Sequence, residues 1–258
     1  MKQFIVSVLL CVLLSFAVFA QSSILERRVV NAASFEDAVA PGSIAAIFTN
    51  PTLHTSASLK NTKITITDRR KIAHSIETIF FSAPTQTNFY IPKNVATGPA
   101  EVEVKTGAFE ISKTTIILTH IAPGLFSANS NGVGVPAAVL LRVSPGGVQT
   151  YIPLFRFSEI ERKYVPIPID LATDKVFLVL FGTGIRNNPA LEDVKVFLGN
   201  VSVPVYYAGS QGLPSTEREF LGLDQVNVLL PTNLPSGQYV VSMNTANLPT
   251  NNLVIQVR

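Results

Sequence analysis

Tryptophan is absent from this 258-residue chain, cysteine occurs once, methionine twice and histidine three times. Charge is scarce too: Asp, Glu, Lys and Arg make up 14% of the residues, against about 25% in an ordinary globular domain. Each shortage excludes something. One Cys cannot build a disulfide framework. A net charge of +3 over this length gives little field to attract phosphates, which argues against a nucleic-acid partner. With 47% hydrophobic residues, the low charge also excludes disorder. His54, His74 and His120 have no partner at metal-ligand spacing, and no cofactor or metal is expected. The strings that resemble catalytic motifs fall short. Gly209-Ser210-Gln211-Gly212 has the wrong spacing for a nucleophile elbow. Gly182-Thr183-Gly184 lacks the third glycine of a dinucleotide loop and reads as the end of a strand. The Asn129–Gly132 stretch lacks the carboxylate a calcium loop needs. The chain is therefore expected not to be an enzyme.

What is present begins with an address. Lys2 precedes an apolar run from Phe4 to Phe19, and Val18-Phe19-Ala20 places small residues at −3 and −1 before Gln21. This predicts a signal peptide over residues 1–20 rather than a membrane anchor, because the run falls short of the roughly 20 apolar residues needed to span a bilayer. Cys11 is no lipid-attachment site: Leu10 precedes it and the apolar run continues beyond it. Cleavage removes one Lys and the only Cys. The exported chain then has no membrane span, and packing rather than disulfides must stabilise it. Its location is extracellular or in the periplasm or cell envelope.

Beyond residue 21 no long 3.6-residue periodicity occurs. Short β-branched and aromatic runs recur between Pro, Gly, Asn and Ser, at Ile44–Phe48, Lys63–Thr67, Glu101–Lys105, Thr114–Leu118, Val176–Phe181, Val194–Leu198, Val203–Tyr207, Val226–Leu230, Tyr239–Met243 and Leu253–Val257. The pattern predicts an all-β sandwich, with one weak helical candidate at Phe157–Lys163. The segment from Gln86 to Gly98 matches Gln225 to Gly237 without a gap at an offset of 139, which also places Val102 on Val241, Val104 on Met243 and Ile116 on Ile255. Self-similarity that preserves the strand period predicts two copies of one unit. The expected division is a first sandwich over 31–120, a joint over 121–131 with Leu125 and Phe126 buried in it, and a second sandwich over 132–258. The second is enlarged at its start, over 133–170, by a hairpin and an aromatic loop.

The repeated residues are Gln86, Asn88, Pro92 and Gly98 in one copy and Gln225, Asn227, Pro231 and Gly237 in the other. Gln and Asn two apart share one face of a strand. Their amides are expected to bond a neighbouring loop's backbone and fix a corner of the sandwich; the alternative is a polar ligand site. The prolines are expected to end strands, and the glycines to serve turns of positive φ. Two surface features stand out. Arg69-Arg70-Lys71 reads as a solvated basic turn, or as a contact for an anionic polymer. Tyr151, Phe155, Phe157 and Tyr164 are expected to pack over the joint; exposed and coplanar, they would instead stack on sugars.

Val30-Asn31-Ala32-Ala33-Ser34-Phe35, Ala40-Pro41-Gly42-Ser43, Ala122-Pro123-Gly124-Leu125-Phe126, Leu180–Arg186 and Gly222–Pro231 together resemble the Solibacter-type uncharacterised C-terminal domain family. The two units also look like immunoglobulin-like repeats of the IPT/TIG type. The chain departs from the family pattern at Thr49, where Gly is usual, and at Arg69-Arg70-Lys71, where a small Gly-containing turn is usual. The resemblance implies two tandem immunoglobulin-like sandwiches and an exported life, and no activity. The expected role is a non-catalytic interaction or structural module with a protein or cell-envelope partner. The rivals are a carbohydrate-binding module using the 151–164 aromatics, with a polysaccharide partner, and a hydrolase with a cleft where Asp170, Asp174 or one of the histidines converges with other polar groups.

Overall fold

The computed structural model describes residues 28–48, 62–83, 86–106, 109–171, 173–212 and 220–258. The expected signal peptide, His54 and Thr49 lie outside the described residues. The fold is an all-β sandwich. In chain order its strands begin with β1 (Val29–Asn31), β2 (Ile44–Phe48), β3 (Thr62–Thr67), β4 (Ala73–Ser75), β5 (Ile79–Ala83), β6 (Gln86–Tyr90), β7 (Gly98–Thr106) and β8 (Phe109–Leu118). They continue with β9 (Gly124–Leu125), β10 (Ala138–Val143), β11 (Gln149–Pro153), β12 (Phe155–Ser158), β13 (Lys163–Pro166), β14 (Lys175–Thr183), β15 (Val194–Leu198), β16 (Val201–Val203), β17 (Val205–Ser210), β18 (Asp224–Leu229), β19 (Gly237–Thr245), β20 (Leu248–Pro249) and β21 (Leu253–Val257).

The predicted strands are present, with two differences. Val203–Tyr207 is divided, since Pro204 has no N–H to give a ladder and separates β16 from β17. The segment Phe157–Lys163 is no helix: β12 turns into β13, with Arg162 at φ 54. The 133–170 region folds as two hairpins, β10–β11 and β12–β13.

The chain builds the same pattern of sheets twice. The sheet β1-β2-β6-β5 faces β4-β3-β7-β8 across one core, where Ile47 and Phe89 meet Ile64, Ile66, Val102, Val104 and Ile116. The sheet β11-β10-β14-β18-β17, with β9 beside the end of β14, faces β16-β15-β19-β20, with β21 beside β19. Its core brings Leu178, Leu180, Val226 and Val228 onto Val196, Val241, Met243 and Ile255. Alternation explains this selection: Val102 and Val104 point inward while Glu101 and Glu103 point to solvent, where Lys113 pairs with both. A third, small cluster gathers Val30, Ala32 and Ala46 under Phe35, Phe48 and Phe126. Leu125 is fully buried in the larger core, whereas Phe126 sits in this small cluster.

Candidate functional site

A cluster of side-chain hydrogen bonds lies where the two cores meet. Thr183 Oγ1 accepts from Ile44 N at 2.8 Å and donates to the Gly222 carbonyl at 2.6 Å. Asn31 Nδ2 donates to the Ala122 carbonyl at 2.7 Å, and Asn187 Nδ2 donates to the carbonyls of Pro41 and His120. The expectation that Gly182-Thr183-Gly184 ends a strand holds, and close approach explains the glycines. A Cβ on Gly184 (φ 73) would stand 2.0 Å from the Ala122 carbonyl oxygen, and one on Gly182 would stand 2.4 Å from that of Gly124.

An ion pair braces this region from behind. Asp224 Oδ1 accepts from Arg186 Nε at 2.7 Å, and Oδ2 accepts from the backbone N–H of Ile185 and of Arg186. Both side chains are almost fully buried. Burial pushes the Asp224 carboxyl above its ordinary range, against the pull of Arg186 and the two backbone donors.

A second buried carboxylate, Asp68, follows β3 and organises the turn and the 91–98 loop at the end of the first unit from which β8 leads into the joint. Asp68 Oδ2 accepts from Arg70 Nη2 at 2.7 Å, from Ala96 N at 3.0 Å and lies 3.1 Å from His74 Nε2, while Oδ1 accepts from Arg70 N. The Arg70 hydrogen bond holds this carboxyl well below the usual carboxylate range, opposed by burial and aided by Ala96, His74 and the Arg70 N–H. The basic turn is exposed, as expected, and is tied down at its base. Arg70 folds back onto Asp68, Arg69 packs over Gly98, and Lys71 turns the chain at φ 64.

The repeated amides bond to each other. Gln86 Nε2 donates to Asn88 Oδ1 at 2.8 Å, and Gln225 Nε2 donates to Asn227 Oδ1 at the same distance. This corrects the expected bond to a loop's backbone. Both pairs lie on the outer face of their sheet, away from the core, because Thr87 and Phe89, and Val226 and Val228, take the inner positions. β6 ends at Tyr90 and β18 at Leu229, just before Pro92 and Pro231. Gly98 opens β7 at φ 118 and Gly237 opens β19 at φ 158, both positive as expected.

Register reveals a further repeat. Asn88 pairs with Ala46 and Phe81, and Ala46 with Val30. Asn227 pairs with Val179 and Tyr207, and Val179 with Val139. Each outer strand carries a bulge at the same place, between Ile79 and Phe81 in β5 and between Val205 and Tyr207 in β17. The residues it adds are Phe80 and Tyr206. Both bulges thus present an adjacent pair of aromatics beside the asparagine.

The 151–164 aromatics do not act together. Phe155 and Phe157 both meet the Tyr164 ring edge to face, at 5.3 and 5.4 Å. They lie on the β12–β13 hairpin, tied to the 127–132 loop by Asn129, which accepts from Tyr164 N and donates to its carbonyl. Asn129 belongs to the expected joint, 121–131, so Tyr164 is held against one part of it, while Phe155 packs against the edge of the larger core. The rings do not form a coplanar set, although Phe157 and Tyr164 are exposed. Tyr151, 65% exposed, belongs to β11 and to the outer face of the larger sheet.

The hydrolase grouping is not assembled among the described residues. Asp174 and the Asp170 carbonyl both take bonds from Arg142, while His74 lies in β4 and His120 follows β8. Sequence reasoning missed Asp224, Arg186 and the bulge aromatics as partners; the matched Asn at the centre of each row was the available signal.

No family model matches the chain, and no curated protein matches it. Among solved structures, it is similar to the Bacteroides ovatus mixed-linkage glucan utilization locus protein SGBP-B, in complex with a mixed-linkage heptasaccharide. Identity is 12% and the TM-score 0.34, over 87% of this chain and 44% of that one, so this chain spans less than half of that protein. It is also similar to domains 5-6 of the S-layer protein SbsC, at 13% identity and a TM-score of 0.31, over 90% of this chain and 95% of that one.

Proposed function

We propose that the protein is an exported, non-catalytic binding or structural module of the cell envelope or extracellular space. It is built of two tandem IPT/TIG-type units, as the resemblance to the Solibacter-type C-terminal domain family implies. The observation that carries this reading is the bonded joint. Thr183, Asn31 and Asn187 tie the two cores through backbone groups, so the pair holds its outer strands and loops in a fixed relation. A rigid scaffold that presents edge strands and loops is suited to recognition. The most polar buried groups, Asp68, Arg186 and Asp224, serve the scaffold itself.

The test is a pull-down from envelope and secreted fractions with the purified chain as bait. A saturable partner, protein or polymer, captured by the folded chain and not by the heat-unfolded one, is the expected result. Recovery of nothing from either fraction overturns a binding role. The carbohydrate reading is favoured by one observation, the exposure of Tyr151, and the sheet face on which it lies extends that reading.

A further inference from the structure

We propose that the outer face of the sheet β11-β10-β14-β18-β17 is a platform for a neutral polysaccharide, running from Tyr151 at one edge to Tyr206 and Tyr207 at the other. Two rows of paired residues cross this face. One runs Tyr151, Leu141, Phe177, Leu229; the other runs Pro153, Val139, Val179, Asn227, Tyr207. Neither row contains a charged side chain. Five strands at about 4.8 Å spacing make the platform about 19 Å wide, room for several sugar rings.

Three observations point to a sugar chain rather than an apolar partner. First, the Tyr207 ring lies along its own strand. Its hydroxyl donates to the Ser210 carbonyl, and the ring occupies the space a Cβ on Gly209 would need, 3.3 Å from Cζ. A ring laid flat on a sheet and 38% exposed offers its face to solvent. Second, Tyr206 is 58% exposed and braced edge to face on Phe177 at 5.4 Å, so it stands ready beside the flat ring. Third, the Gln225–Asn227 pair lies on the same face. Its internal bond uses one donor hydrogen, leaving further amide donor and acceptor capacity for hydroxyl groups. Apolar faces of pyranose rings stack on such aromatics, and their hydroxyls bond such amides; two rows without charge, with Lys175 beyond them at the start of β14, suit an uncharged polymer.

The first unit supplies an internal comparison. Its equivalent row, Val30, Ala46, Asn88, Phe81, is closed over at its centre, because Phe35, Phe48 and Phe126 pack on Val30 and Ala46. In the second copy the equivalent central residue, Val179, is buried too, at 4% exposure, and no phenylalanines gather over it as they do in the first; what stands open there is the tyrosines at both margins.

The inference rests on the binding-module reading and is tested separately from it. The chain recovered from the envelope or secreted fraction is run in native gels containing soluble β-glucan, arabinoxylan, glucomannan or amylopectin. Retardation is expected in at least one gel. Tyr206→Ala and Tyr207→Ala are each expected to weaken it by about threefold to tenfold. Tyr151→Ala weakens it at the opposite edge, and Tyr207→Phe, which keeps the ring, retains most of it. Phe81→Ala and Phe157→Ala leave it unchanged. Thermal unfolding confirms that each variant is folded. The proposal is overturned if the parent chain migrates freely in all four gels, or if the tyrosine variants are retarded as strongly as the parent. Either outcome leaves a protein partner found by pull-down untouched.

Discussion

Asn88 and Asn227 hold the same node in two separate sheets. Each accepts a 2.8 Å hydrogen bond from the glutamine two residues before it, and each stands opposite the second aromatic of a bulge. If the two pairs are equivalent parts of one repeated unit, truncating either has the same cost. Asn88→Ala and Asn227→Ala are each expected to lose about 1 kcal/mol in urea unfolding. A clear inequality between them would show that only one pair supports its sheet.

Asp224 and Arg186 make a different case, because both are buried. Removing one partner strands the other charge. Arg186→Met is expected to cost about 3–5 kcal/mol, and the double change Arg186→Met with Asp224→Leu much less than the sum. Denaturant midpoints of the two single variants and the double variant complete the cycle. Additive losses would mean that the pair is not coupled.

Thr183 tests the joint itself. Thr183→Val keeps the shape and removes both the acceptor for Ile44 N and the donor to Gly222. The expected loss is about 1–3 kcal/mol. Small-angle scattering is expected to show a broader distribution of distances than in the parent, since the two cores then move more freely. An unchanged profile with unchanged stability would show that the other bonds suffice.

Acid should unfold the protein through Asp68. Its folded-state pKa is lowered, so its contribution is fully present above its unfolded value near 4 and is lost as pH falls through the lower folded value. Asp224, whose pKa burial raises, has the opposite sign: its deficit at neutral pH is relieved by acid. In urea melts from pH 6 to pH 2, stability is expected to fall below about pH 4 in the parent, and with a shallower slope in Asp68→Asn. Equal slopes would remove Asp68 from the account.

The strands and the repeat were legible because their signals are local. Alternation in Glu101–Lys105 and the gapless match from Gln86 to Gly98 survive in the sequence as written. The bulge aromatics were not legible. A longer connection before β18 than before β6 shifts Phe80-Phe81 out of the offset that aligns the asparagines, and only register restores the correspondence. Nor could the sequence separate Tyr151 from Phe155, Phe157 and Tyr164. They are neighbours in the chain, but Leu154 passes inward between them and parts β11 from the β12–β13 hairpin. Asp224 and Arg186 stood in the sequence among residues that suggested a family, with nothing to mark them as partners across 38 positions.

Gly184 carries one more implication. Its missing side chain lets the backbone at the end of β14 lie against Ala122, while Asn31, from the first strand, donates to that same Ala122 carbonyl. The segment that leads out of the first core is thus clasped from both sides. A fragment ending before Ala122 would deprive Asn31 of its acceptor, and one beginning after it would leave Gly184 and Thr183 facing solvent. Anyone dissecting this molecule should expect neither half to behave as it does in the whole.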